Sequence, residues 1–111
     1  MQTTVPFDAD RVFAALADAT RRDIVLRAMA GDEGIVELSG HYPMSFAAVQ
    51  KHIAVLERAG LVSRSRVGQT RPCRLETAAL DGAVGWIEAS TRAWTERFDR
   101  LDAHLRTLGE R

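Results

Sequence analysis

The chain has 111 residues, enough for one domain, and its 46% hydrophobic and 27% charged content is that of a globular protein, not of a disordered or collagen-like one. No apolar run nears the roughly 20 residues of a membrane span, Met1 to Pro6 lacks a secretory signal, and the lone Cys73 excludes an internal disulfide framework, so a cytoplasmic protein with no membrane partner is expected. Its 15 basic and 15 acidic residues cancel, which removes any overall attraction for nucleic acid and leaves only the distribution of charge to argue from.

Residues 8–17 carry Val12, Phe13 and Leu16 on one helical face and predict a first helix. Thr20 opens a second over 20–30, with Ile24, Val25 and Ala28 inward and Gly31 as its stop. A brief third helix is expected over 35–38. Gly40 and Pro43 make 39–44 a turn. Ser45 is a good N-cap for a fourth helix reaching Ala59, with Gly60 as terminator. Val49, Ile53 and Leu56 fall at i, i+4, i+7 and point inward, which leaves Phe46, Ala47, Gln50, Lys51 and Ala54 outward. Small and hydrogen-bonding side chains at the start of an exposed helix suit a reader of the major groove; large acidic ones would repel phosphate.

Residues 61–67 then alternate as a strand, 68–70 can turn, and 71–75 can return, with Pro72 marking the second strand as an edge. This hairpin carries Arg64, Arg66, Arg71 and Arg74 and no acid. Helix pattern resumes over 77–108, where Leu80, Val84, Ile87, Thr91, Trp94, Phe98, Leu101, Leu105 and Leu108 alternate spacings of four and three. A helix that long spans about 45 Å, more than the roughly 27 Å breadth of a globule this size. Part of the seam must therefore meet something outside its own domain, and a second copy of the chain is the preferred partner. Gly82 and Gly85 are the two places where the helix could break early.

Charge follows the same division. Residues 45–75 hold Lys51, Arg58, Arg64, Arg66, Arg71 and Arg74 against Glu57 alone, while both flanks are net acidic. A directed basic footprint on a neutral protein is the expected signature of a nucleic-acid reader.

Taken together, three stretches resemble the ArsR/SmtB winged-helix repressors. Residues 16–24 (LADATRRDI) look like that family's second-helix opening, 44–62 (MSFAAVQKHIAVLERAGLV) like its recognition helix, and 68–75 (GQTRPCRL) like its wing. The resemblance covers about residues 8–108. It implies a mainly α fold with one β-hairpin, a winged helix-turn-helix filling residues 1–111 as a single domain, and a homodimer built from the first and last helices. It also implies repression of a promoter through a two-fold symmetric operator in double-stranded DNA. In such folds the recognition helix, here 45–59, enters the major groove, and the wing, 61–75, lies on the backbone or in the minor groove.

On that basis Gln50 is placed to pair with an adenine edge and Lys51 with guanine or a phosphate. Ser45, His52, Arg64, Arg66, Gln69, Thr70 and Arg71 are placed to hold the backbone, and Ala47 to line the groove. Two residues stay open. Phe46 can touch a thymine methyl or pack against the wing or turn; His52 can meet a phosphate or make a structural hydrogen bond. The expected dimer interface is Phe7, Val12, Phe13, Trp86, Ile87, Trp94, Phe98, Leu101 and Leu105. A cavity among its aromatic side chains is a candidate place for an unidentified small-molecule effector.

No cofactor and no metal are expected. Many proteins of that family sense metals, but 35–39 holds neither thiol nor imidazole, and Asp102-Ala103-His104 supplies only the first half of a terminal-helix ligand set. His41, His52 and His104 are scattered, whereas a tetrahedral site needs converging ligands. Cys73 reads as a small half-buried hydrophobe; a redox role needs an activated thiolate. The alternative of a protein-interaction module on the same scaffold leaves the one-signed charge of 45–75 without a reason. An enzyme is not expected: no phosphate loop, nucleophile elbow or metal-hydrolase spacing is present.

Overall fold

The computed structural model describes residues 7–65, 68 and 71–110. Five helices and two strands follow one another as α1 (Ala9–Leu16), α2 (Ala19–Ala30), α3 (Ile35–Ser39), α4 (Phe46–Arg58), β1 (Val62–Arg64), β2 (Cys73–Leu75) and α5 (Thr77–Gly109). A helix-turn-helix (α3, α4) followed directly by a hairpin is the winged arrangement.

Local chemistry sets the helix ends. Asp8, Asp18 and Ser45 sit in extended backbone, and each side chain accepts the amide N–H three residues on, at 3.1, 3.0 and 3.1 Å. Each thereby satisfies one of the orphan donors of its helix. Asp18, not Thr20, opens the second helix: its carboxylate reaches the Arg21 amide and the helix begins one residue earlier than expected. At the far end of α4, Gly60 adopts φ 77°, its N–H bonds the Glu57 carbonyl at 3.0 Å, and Leu61 N–H bonds the Leu56 carbonyl at 2.9 Å. That is a Schellman ending, and it turns the chain so that Leu61 is fully buried.

The core is one cluster. Val12 and Ala15 of α1, Ile24, Val25 and Ala28 of α2, Ile35 and Leu38 of α3, and Val49, Ile53 and Leu56 of α4 close on Leu61, Val62, Cys73 and Ala83. Two expectations are corrected by this packing. Val12 does not belong to the dimer interface: it is only 1% exposed and packed inside its own subunit. Its helical face marks it as apolar and cannot say which apolar surface it meets.

Nor is the second strand an open edge. Pro72 is buried and bridges Gly34, and Cys73 N–H donates to the Glu33 carbonyl at 2.9 Å. The link between α2 and α3 thus covers the outer side of β2, while β1 pairs antiparallel on the other (Val62 with Leu75, Ser63 with Arg74, Arg64 with Cys73).

Neither Gly82 nor Gly85 breaks α5, which runs unbroken for 33 residues. Its first turns pack on the core through Ala83, and Gly82 faces the Phe7 ring so closely that a Cβ there would lie 2.5 Å from it. Phe7 meets Phe13 edge-on at 6.5 Å, and Phe13 meets Trp86 at 5.4 Å. Beyond this α1–α5 contact the helix stands away from the domain. The Cα radius of gyration is 20.1 Å and the longest extent 75 Å, against about 13 Å of gyration for a compact chain of this length. No described helix is long and apolar enough to cross a membrane.

Candidate nucleic-acid interface

The inward side of α4 is fixed by Val49, Ile53 and Leu56, all fully covered. Its other side is therefore held at the surface without choice. Ser45, Phe46, Ala47, Gln50 and Lys51 are all exposed there, and Ala54 is half-buried. The structure brings these residues together on one face beginning at the helix N-terminus, where backbone N–H groups add favourable potential for phosphate. Arg58 is also exposed on the last turn of α4. Charge counting includes it without giving it a role; its spacing of seven from Lys51 is the signal that places it on the same stripe.

The wing contributes less free charge than its arginine count suggests. Arg64 donates from an Nη to the Glu57 carboxylate at 2.8 Å and is three-quarters covered, so it ties β1 to the end of α4. Arg74 Nε lies 3.4 Å from Asp32 Oδ2. Arg71 is exposed, and Lys51, Arg58 and Arg71 make no ion pair with any described residue. Gly68 takes φ 61° between the strands, a left-handed conformation suited to a hairpin tip. Arg66, Gln69 and Thr70 lie outside the described residues.

His52 is half-buried on the flank of α4, and its ring faces α2. Nδ1 lies 3.4 Å from an Arg21 Nη and 3.8 Å from Asp18 Oδ2. Arg21 also donates from Nε to the Ala15 carbonyl at 2.7 Å and from an Nη to the Ala14 carbonyl at 3.1 Å, and Arg22 donates to the Leu16 carbonyl at 2.8 Å. The two arginines thus satisfy the loose carbonyls ending α1, while Arg21 and Asp18 anchor the reading helix through His52. The Arg21 amide bond to Asp18, with smaller help from His52 and the Arg21 charge, holds that carboxyl below its usual range.

A second anchor fixes the turn before α4. Asp23 Oδ2 accepts from the Tyr42 hydroxyl at 2.7 Å and from Arg27 Nε at 2.9 Å, and the Arg27 guanidinium lies 5.8 Å from the centre of the Tyr42 ring. Those two donors depress the Asp23 carboxyl, and burial together with the carboxylate acceptor pushes the Tyr42 hydroxyl up. Sequence spacing gives no sign of this triad, because its members lie up to 19 positions apart.

Away from this face, Cys73 is 2% exposed and burial pushes its thiol up to about 11. It is more deeply covered than the half-buried position expected, and the thiolate that redox chemistry requires is disfavoured. Among the described residues no three His, Cys, Asp or Glu side chains come together as metal ligands. On α5, Val84, Trp86, Ile87, Trp94, Phe98, Leu101, Leu105 and Leu108 are all about half exposed. Trp94 stacks on Phe98 with centroids 5.5 Å apart. Of the expected interface residues, Phe7 and Phe13 lie partly buried beside Trp86, whereas Ile87, Trp94, Phe98, Leu101 and Leu105 form the open seam.

Comparison with known proteins returns DNA-binding regulators. No protein-family profile matches the chain. It is 30% identical to the transcriptional repressor SdpR of Bacillus subtilis over 78 residues, covering 70% of this chain and 87% of that one. It is 41% identical to the HTH-type transcriptional regulator Rv2034 of Mycobacterium tuberculosis over 71 residues, 64% of this chain and 66% of that protein. Among solved structures, an ArsR-like transcriptional regulator from Rhodococcus sp. RHA1 superposes with a TM-score of 0.77 at 30% identity, covering 84% of this chain and 88% of the other.

Proposed function

The chain belongs to the ArsR family of winged helix-turn-helix transcriptional regulators, and from that premise we propose that it acts as a homodimeric repressor reading a two-fold symmetric operator. One observation carries the reading. The core-facing side of α4 is wholly consumed by packing, and the side left over begins with a capped N-terminus and presents Ala47, Gln50 and Lys51 without an acidic neighbour. Gln50 is suited to the N6/N7 edge of adenine, and Lys51 to guanine or a phosphate. Arg58 and Arg71 are suited to the backbone on either side, and the wing arginine Arg66, with Gln69 and Thr70, is assigned to the same task on its sequence position alone. His52 and Arg64 serve chiefly to hold the reading helix and the wing in place, since both face partners within the subunit.

The second copy is assigned to the open seam of α5. An apolar stripe of alternating four and three spacing, half exposed along a helix of 33 residues, matches what a paired helix buries. A reader of chromosomal DNA works in the cytoplasm, and the regulatory relatives give no reason to assign an enzymatic activity.

The test is a pair of substitutions measured over a salt series. Wild-type protein is expected to lose operator affinity linearly in log salt as counterions are released. Gln50→Ala and Lys51→Ala are each expected to weaken the cognate duplex by roughly 1–3 kcal/mol per lost base contact and to narrow the gap to unrelated DNA. Arg71→Ala is expected to weaken all duplexes alike. Unaltered operator affinity in the Gln50 and Lys51 variants would move the reading surface elsewhere, and binding to a protein bait without any duplex binding would favour the interaction-module reading.

A further inference from the structure

Phe46 occupies the first helical position of α4, directly after the Ser45 cap, and is 43% exposed. Tyr42 and Met44 of the preceding turn are partly buried against the core, whereas Phe46 takes no place in it. No other described aromatic ring pairs with it; the ring pairs among the described residues involve Phe7, Phe13, Trp86, His41, Tyr42, Trp94 and Phe98. A phenyl ring this exposed is expensive to keep in water, and it contributes nothing to helix formation at that position. Its surroundings are specific. Ala47 adds a second small apolar surface beside it, and Gln50 follows one turn later at i+4, on the same edge of the helix.

The N-terminal residues of a recognition helix are those that reach base edges. In the major groove, the apolar feature of DNA is the C5 methyl of thymine, and Phe is one of the side chains that suit it. The base paired with that thymine is adenine, whose N6/N7 edge is the one Gln recognises.

Resting on the DNA-binding reading above, we infer that Phe46 is a specificity residue that packs on a thymine 5-methyl group, beside the adenine edge taken by Gln50. The half-site therefore contains a thymine within one base step of the Gln50 contact, and Phe46 rejects cytosine and uracil at that position because both lack the methyl. The arrangement also explains why an apolar ring stands next to a polar reading face: it is covered only when DNA is bound.

The experiment uses the full chain and a duplex selected by it, with each thymine of the half-site replaced in turn by deoxyuridine, which removes one methyl and leaves pairing intact. Wild-type protein is expected to lose affinity at one position per half-site, about threefold to fourfold for one methyl and about tenfold when both half-sites are changed. Phe46→Ala is expected to bind thymine and uracil duplexes equally, at an affinity near that of wild type on the uracil duplex. Phe46→Leu, which keeps an apolar side chain and guards against a folding defect, is expected to retain part of the preference. Tight wild-type binding with no sensitive thymine, or full sensitivity retained by Phe46→Ala, overturns the inference and leaves the DNA-binding reading standing. Failure to bind any duplex removes both.

Discussion

Replacing Leu101 with Asp is expected to yield a folded monomer that has lost most of its operator affinity. Leu101 is 52% exposed and lies on the part of α5 that stands clear of the core. A charge there costs the isolated subunit little, because the side chain already meets water. In a pair of helices the same position is covered, and each copy would carry an unpaired carboxylate into an apolar seam. Central interface positions are worth about 2 kcal/mol or more each, so two copies weaken the dimer by roughly 4 kcal/mol, or about a thousandfold in dissociation constant. Trp94→Ala acts in the same direction by removing half of the Trp94–Phe98 stack. Sedimentation equilibrium with circular dichroism separates the outcomes: full helicity at half the mass is expected, and a variant that stays dimeric would place the interface elsewhere.

The second large effect concerns stability. Ile53→Ala is expected to destabilise the fold by about 2–5 kcal/mol, the usual range for truncating a buried Ile. Ile53 is fully buried at the centre of α4, where it is the middle of the three residues that fix which side of the helix faces out. Against a typical stability of about 5–15 kcal/mol, that loss is enough to unfold a large share of the protein at moderate temperature. Gln50→Ala, one turn away on the exposed side, is expected to leave the urea midpoint unchanged. Two neighbouring substitutions thus separate the two faces of one helix: one moves stability and the other binding. Equal destabilisation by both would mean that Gln50 is packed and cannot read DNA.

What is legible in the sequence follows the range of the interactions involved. Helical periodicity and caps are local, so α1 to α4 and the outward set Phe46, Ala47, Gln50 and Lys51 can be read directly. The heptad spacing of α5 likewise identifies the apolar seam that stands half exposed in the fold. Contacts between distant segments cannot be read. Whether the apolar face of α1 meets its own core or a partner is a tertiary question, and Val12 goes to the core. The cover over β2 depends on Glu33 and Gly34 meeting Pro72 and Cys73 across the whole of α3, α4 and β1. The charge count overstates the wing, because Arg64 and Arg74 have carboxylate neighbours that only folding brings near. In the same way, Arg21, Arg22, Asp23 and Tyr42 acquire their positioning roles from carbonyls and side chains on other elements.

Operator recognition of this kind requires two α4 faces presented together to one duplex. Its most direct test is selection of bound fragments from genomic DNA by the purified protein, with the mass of the resulting complex measured. A two-fold symmetric consensus with half-site centres about one helical turn apart, bound by two chains, is the expected result. An asymmetric or absent consensus, or a single chain on each specific site, would contradict it.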